Sequence, residues 1–191
     1  MLQLEFNLER WSREWQLPFN ATKCKVMHFG YHNPQFNYML NDHTLETTYS
    51  EKDLGIYIDN CLKFHVHTAA VTKKANQILG IIKKSYTTRD ATTIPILYKA
   101  MVRPLLEYGN TIWGPFYQKD VQAVEAIQRR ATKLVNQLRD KPYSQRLEEL
   151  KIPSLAYTYR RKRGDMIQMF KLMNYLIRID KNNFFTSGSE R

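Results

Sequence analysis

Apolar residues recur at helical steps along most of this chain, and at every second position over one short stretch. Leu4, Leu8, Trp11 and Trp15 fall at i, i+4, i+7 and i+11. That spacing predicts an amphipathic helix with both tryptophans inward, stopped by Pro18. Between residues 24 and 59 the period shortens to two. Residues 24–29 read as a strand, and 36–40 with 44–48 as a hairpin around Asn41-Asp42, a pair that tolerates left-handed backbone. Residues 52–59 read as a fourth strand, with Leu54, Ile56 and Ile58 on one face and Gly55 leaving room for a close approach.

From Phe64 onward the period is 3.6. Val71, Ala75, Ile78 and Ile82 predict one long helix. Residues 93–108 predict a second, with Leu97, Tyr98, Met101, Leu105 and Tyr108 inward. Pro95 sits harmlessly in its first turn, and Pro104 is expected to kink its interior. Residues 120–139 predict a third helix that buries Val121, Val124, Ile127, Ala131, Leu134, Val135 and Leu138 and leaves Arg129, Arg130 and Lys133 outside. A short helix over 143–150 and a long one from 155 to about 177 complete the bundle, and residues 181–191 read as a frayed tail. The predicted class is α+β: a helix and a small antiparallel sheet, followed by an all-helical bundle.

Composition adds charge to this outline. The 191 residues are 43% hydrophobic and 13% aromatic, enough to bury a core, and their formal net charge is +11. Residues 1–60 hold five Lys or Arg against eight Asp or Glu, whereas residues 61–191 hold 24 against ten. A basic surface therefore belongs to the C-terminal two-thirds, and it favours an anionic partner such as nucleic acid. Two cysteines cannot staple a scaffold, and the N-terminus lacks a signal-like apolar run. The longest apolar run, residues 78–82, is far short of the roughly 20 residues that span a bilayer. An intracellular protein of nucleus or cytoplasm, away from membranes, is expected.

Two-metal phosphoryl chemistry needs converging carboxylates that hold cations about 4 Å apart. No two aspartates are adjacent here, and Asp42, Asp53 and Asp59 read as turn or strand-end residues. Neither Cys61, His65 and His67 nor Cys24, His28 and His32 supplies four zinc ligands at a structural spacing. Seven scattered glycines form no phosphate loop. The cations say more as a set: Lys73, Lys74, Lys83, Lys84 and Arg89 with the first long helix, Lys99 and Arg103 with the second, Arg129, Arg130 and Lys133 with the third, and Arg160, Arg161, Lys162 and Arg163 with the last. Spread over several helices, they suit tracking of a phosphate backbone more than reading of bases. A non-enzymatic nucleic-acid-binding module is one alternative. A protein-interaction helical module with an apolar patch of Trp113, Phe116 and Tyr117 is the other.

Several short motifs follow one another in a recognisable order. They are Trp11-x-x-x-Trp15; Asn20-x-x-Lys23-Cys24-x-Val26-Met27-x-Phe29; Lys52-Asp53-Leu54-Gly55-x-x-Ile58-Asp59; Leu97-Tyr98-Lys99 with Val102-Arg103-Pro104-x-Leu106-Glu107-Tyr108 and Trp113-x-Pro115; Glu125-x-x-Gln128-Arg129-Arg130; Tyr143-x-x-Arg146-Leu147; and Arg160-Arg161-x-Arg163-Gly164-Asp165. In this order the chain resembles the C-terminal part of the reverse transcriptases of non-LTR, LINE-type, jockey-like retrotransposons.

The resemblance implies that residues 1–62 are a palm remnant with primer-grip-like strands, and that 63–180 are a helical thumb and connection binding an RNA/DNA template-primer. Leu54 and Gly55 match the primer-grip hairpin. Lys23 matches a lysine that assists the leaving pyrophosphate as a general acid, although a solvated lysine reads equally well. Charge and resemblance together nominate Leu54, Gly55, Lys73, Lys74, Lys83, Lys84, Arg103, Arg129, Arg130, Arg160, Arg161 and Arg163 as nucleic-acid-binding residues. The family's Mg²⁺-holding catalytic aspartates, including the pair of its Y/F-A-D-D motif, lie upstream of the Trp11 helix. The chain is accordingly expected to hold no cofactor, to be inactive alone, and to partner the missing polymerase segments or another protein.

Overall fold

The computed structural model describes residues 2–155, 159–183 and 185. The chain is of the α+β class and divides into two compact units, Met1–Val66 and His67–Arg191.

The first unit opens with helix α1 (Leu2–Glu14). The chain leaves it through Gln16 in the left-handed region (φ 53°), with Ser12 Oγ donating to the Leu17 carbonyl at 2.8 Å. Six short strands follow: β1 (Lys25–Val26), β2 (Met39–Leu40), β3 (His43–Thr44), β4 (Glu46–Thr47), β5 (Ser50–Asp53) and β6 (Ile56–Asp59). They form three separate two-stranded pairs where one small antiparallel sheet was expected, and β1 with β4 is parallel. The β2–β3 hairpin turns through Asn41 and Asp42, both at positive φ (49° and 59°), as their residue types predict.

Residues 52–59 are not one strand. Leu54 (φ 45°) and Gly55 (φ 88°) are the two-residue turn between β5 and β6, which pair from Asp53↔Ile56 to Ser50↔Asp59. A two-residue loop matches the strand twist with left-handed backbone at its first position or, as here, at both, and glycine accepts this freely. Leu54 therefore stands 81% exposed at the tip instead of sharing an inner face with Ile56. The tryptophans of α1 also differ from expectation. Trp15 is 65% exposed, and Trp11, likewise exposed, stacks on Phe19 at 5.9 Å. Strand pairs of two to four residues offer no broad face on which a helix stripe can be buried.

In the second unit, α2 (His65–Ser85) matches its periodicity. The next helical run comprises α3 (Thr93–Leu97), a π turn over Tyr98–Val102, and α4 (Arg103–Glu107). Pro104 supplies no N–H and its ring crowds the carbonyl four residues back, so the ladder widens before it. A four-residue step overshoots an α-helical face by about 40°. The wider π turn offsets that drift, so Ile94, Tyr98, Val102 and Leu106 are the buried series, while Met101 and Tyr108 are exposed.

The third helix, α5 (Gln118–Thr132), ends earlier than expected. Val135 turns extended, and the Asn136 N–H donates to the Arg89 carbonyl at 3.0 Å. Then come α6 (Tyr143–Glu149) and α7 (Tyr159–Met173), the latter shorter than predicted. Residues 181–183 form a helical turn, and most of the expected frayed tail lies outside the described residues. One apolar core joins Ala75, Leu79 and Ile82 of α2 to Val124, Ile127 and Ala131 of α5, with the Ile94–Leu106 series and Leu150, Ile152 and Leu155 closing it.

A polar node lies inside this core. Gln128, fully buried, accepts from the Tyr98 hydroxyl at 2.7 Å and donates to the Pro153 carbonyl at 3.0 Å and the Tyr143 hydroxyl at 3.2 Å. Buried Glu125 accepts from Tyr143 and from Ser154. The guanidinium groups of Arg129 and Arg146 lie over the Tyr143 ring, at 5.1 and 5.5 Å from its centroid. The Gln128 amide and the Glu125 carboxylate thus find partners, without which burial costs about 1–3 kcal/mol, whereas the Nε of buried Arg146 makes no hydrogen bond.

Candidate nucleic-acid interface

The core of the second unit turns the polar stripes of α2 and α5 toward solvent. Asn76, Gly80 and Lys83 follow one another on α2 at steps of four and three, and Arg130 lies at a step of three from Lys133 along α5. With Arg89 from the loop after α2, and Asn136 and Arg139 from the turn after α5, they line an open cleft of about 440 Å³. Five cations, Lys83, Arg89, Arg130, Lys133 and Arg139, surround it, and none of its lining residues is acidic.

Two of these cations are held in place. Arg130 Nη1 donates to Asn76 Oδ1 at 2.6 Å, which ties α5 to α2 across the cleft. Arg89 donates from Nη2 to the Lys83 carbonyl at 2.6 Å and from Nε to the Tyr86 carbonyl at 3.4 Å, so it caps the C-terminal end of α2. The helix dipole favours Lys83, Lys84 and Arg89 at that end. Asp90, the nearest acid in sequence to Arg89, is engaged elsewhere. Its carboxylate accepts from the N–H groups of Thr93 (2.6 Å) and Thr92 (2.8 Å), and these bonds hold it below the usual carboxylate range.

On the helical unit the remaining nominated residues fall into three groups. Lys73, Lys74, Lys84, Arg129 and Arg163 are exposed on α2, α5 and α7. Arg103 is not on the surface: it is 6% exposed and pairs with Glu107 Oε1 at 2.8 Å, one helical turn away. Buried Trp113, 2% exposed, packs edge-on against His67 (4.3 Å) and donates from Nε1 to the Tyr108 carbonyl at 2.6 Å. The apolar patch expected around Trp113 therefore lacks its centre, although Phe116 and Tyr117 are exposed. Arg160 and Arg161 have side chains outside the described residues.

In the first unit Lys23 is exposed in the turn before β1, and Leu54 and Gly55 form the β5–β6 tip. Asp59 accepts from the N–H groups of Cys61, Lys63 and Phe64 at 2.6–3.1 Å, a strand-end role of the kind its position suggested.

Arg139, Asn76 and Asn136 were missed by the reading of charge runs. The signal available for Asn76 was its helical register with Lys83, while Arg139 and Asn136 are brought in by the end of α5, which no periodicity announces. The described residues do not fit a Mg²⁺ site: among them, no group of three or more His, Cys, Asp or Glu could hold a metal ion. Nor is any described helix long and apolar enough to cross a membrane.

No protein-family model matches the chain, and no solved structure matches it. Among curated proteins, it is similar to a probable RNA-directed DNA polymerase from the transposon X-element of Drosophila melanogaster, with 23% identity over 138 residues. That match covers 68% of this chain and 15% of the relative, so the chain spans a small part of that protein's length. The sequence relationship is thus to a retrotransposon reverse transcriptase.

Proposed function

We propose that this chain is a nucleic-acid-gripping part of a jockey-like, LINE-type reverse transcriptase, corresponding to the end of the palm, the primer grip and the thumb, and that it does not itself transfer nucleotides. The observation that carries this reading is the acid-free cluster of five cations on the helical unit, set beside exposed Lys73, Lys74, Lys84, Arg129 and Arg163. A surface that neutralises several phosphates binds by releasing counterions, with little dependence on base sequence. The relative's printed activity, RNA-directed DNA polymerisation, supplies the partner: a template-primer of RNA and DNA. The exposed Leu54-Gly55 tip is the primer-grip element in this reading, and Arg103 drops out because its charge is spent on Glu107. No adjacent aspartates occur in the sequence to supply the paired carboxylates of nucleotide transfer.

The test is a salt titration of the full chain with a labelled RNA–DNA duplex. If about five phosphates are neutralised, affinity falls roughly a hundredfold or more between 50 and 200 mM salt. Salt-independent affinity, or none, refutes the reading. Primer extension with Mg²⁺ tests the other half, since any templated incorporation by this chain overturns it.

A further inference from the structure

The cleft has a floor as well as a rim. Leu79, Gly80 and Leu134 line it between the cations, and Asn76 and Asn136 place side-chain amides at its wall. Gly80 lies inside a 21-residue helix, where glycine costs about 1 kcal/mol relative to alanine. Close packing does not account for it, because a Cβ built there would meet nothing within 4 Å. What its missing side chain leaves open is the cleft.

We propose that this cleft receives one nucleotide unit of a single strand. The strand's phosphates would lie along Lys83, Arg130, Lys133 and Arg139, and its base or sugar would rest on the Leu79–Leu134 floor above Gly80. This rests on the nucleic-acid reading given above and adds to it a distinction between single strand and duplex. A volume of about 440 Å³ lies at the small end of ligand pockets, roughly 300–1,000 Å³, and suits a nucleotide. The convex flank of a duplex would touch only the rim. Single strands are gripped by a basic track beside faces on which bases stack, usually aromatic; this concavity offers the track and, with no aromatic residue in its lining, the aliphatic faces of Leu79 and Leu134. Arg130 and Arg89 are already oriented by Asn76 and by backbone carbonyls, so less freedom is lost when a phosphate arrives.

The test compares a labelled oligothymidylate with a labelled RNA–DNA duplex, using the full chain and three variants. Gly80→Glu puts bulk and negative charge on the floor at a position with no packing neighbour. Lys133→Ala with Arg139→Ala removes two rim charges. Lys119→Ala, outside the cleft, is the charge-matched control for Gly80→Glu, since each lowers the net charge by one. Gly80→Glu is expected to weaken oligothymidylate binding about tenfold more than duplex binding, and the double variant to lower the single-strand salt slope by about 1.4. Far-UV circular dichroism melts confirm that each variant is folded, and Gly80→Gln, which fills the floor without adding charge, carries the same comparison should Gly80→Glu unfold. Equal losses for both ligands, or no loss in either variant while the unaltered chain binds, overturn this proposal and leave the broader reading standing. Failure of the unaltered chain to bind either ligand removes both.

Discussion

The two units of this molecule hold themselves together in different ways. Among the described residues, the first unit buries only Leu40 and Ile56 of its larger apolar side chains, whereas the second buries fourteen. The first relies on strand pairs two to four residues long and on isolated polar ties, such as the Asn41 N–H to Glu9 bond of 2.9 Å and the Lys25–Glu51 pair at 3.3 Å. It leaves an apolar hollow of about 350 Å³ lined in part by Val26, Met27, Phe29, Leu40 and Leu45. The second unit's hollow is rimmed by cations over a continuous core. Charge alone would separate these halves, but burial explains more. Only the helical unit has the closed core that can hold five like charges around one cleft against their mutual repulsion.

Substitutions can break this contrast. The largest effect is expected from Leu106→Ala, which empties a fully buried site and should lower the unfolding free energy of the helical unit by about 3 kcal/mol in a urea titration. Trp15→Ala, at an exposed position of the first unit, should change the unfolding free energy of its own unit by less than about 0.5 kcal/mol. Comparable losses would erase the distinction. Next comes Gln128→Leu, which strands the Tyr98 hydroxyl and the Pro153 carbonyl and takes one donor from the Tyr143 hydroxyl, at a cost of about 2 kcal/mol by the same measurement.

A pH titration sharpens the same point. Burial raises the phenol of Tyr98 well above its ordinary value, and burial together with the bond to Glu125 does so for Tyr143. A raised phenol stabilises the fold fully below the unfolded value of about 10. Above it, the unfolded chain loses protons that the folded one keeps, so stability falls by up to about 1.4 kcal/mol per pH unit for each tyrosine. Tyr143→Phe should flatten that decline in urea midpoints measured from pH 9.5 to 11.5. The smallest effect has the opposite sign: Gly80→Ala should stabilise α2 by up to about 1 kcal/mol, seen as a raised melting temperature.

How much of this was legible in the sequence follows the same division. Where a continuous core imposes a 3.6 period, α6 could be read almost to the residue and α2 recognised as one long helix, and Arg129, Arg130 and Lys133 were rightly placed outside. The strand region gave the Asn41-Asp42 turn from residue type, but periodicity hid the turn at Leu54-Gly55, because Leu54, Ile56 and Ile58 alternate as well in a hairpin as in a single strand, and only the resemblance pointed to a hairpin there. The apolar stripe of α1 promised burial that short strand pairs cannot provide. Polar residues in the core were least legible. Arg103, Glu125, Gln128 and Arg146 carry charged or amide side chains, and only their partners in three dimensions reveal that they are interior. Several belong to the motifs that carry the family resemblance. Those motifs therefore report the internal wiring of the helical unit, and the cleft that faces solvent draws on residues such as Asn76, Lys133 and Arg139 that lie outside them.

The π turn before Pro104 bears on how this chain should be compared with its relatives. Its buried series advances by four residues three times over, from Ile94 to Leu106. An uninterrupted α-helix keeps a seam with alternating steps of four and three. Excising one residue at Lys99 or Ala100 would convert the first spacing into the second and keep every core contact on both sides. The turn thus carries one residue more than the α-helical turn that would keep the same face inward. An alignment to a relative with an ordinary helix needs a gap there, and without it every position on one side of the gap is compared with its neighbour's counterpart.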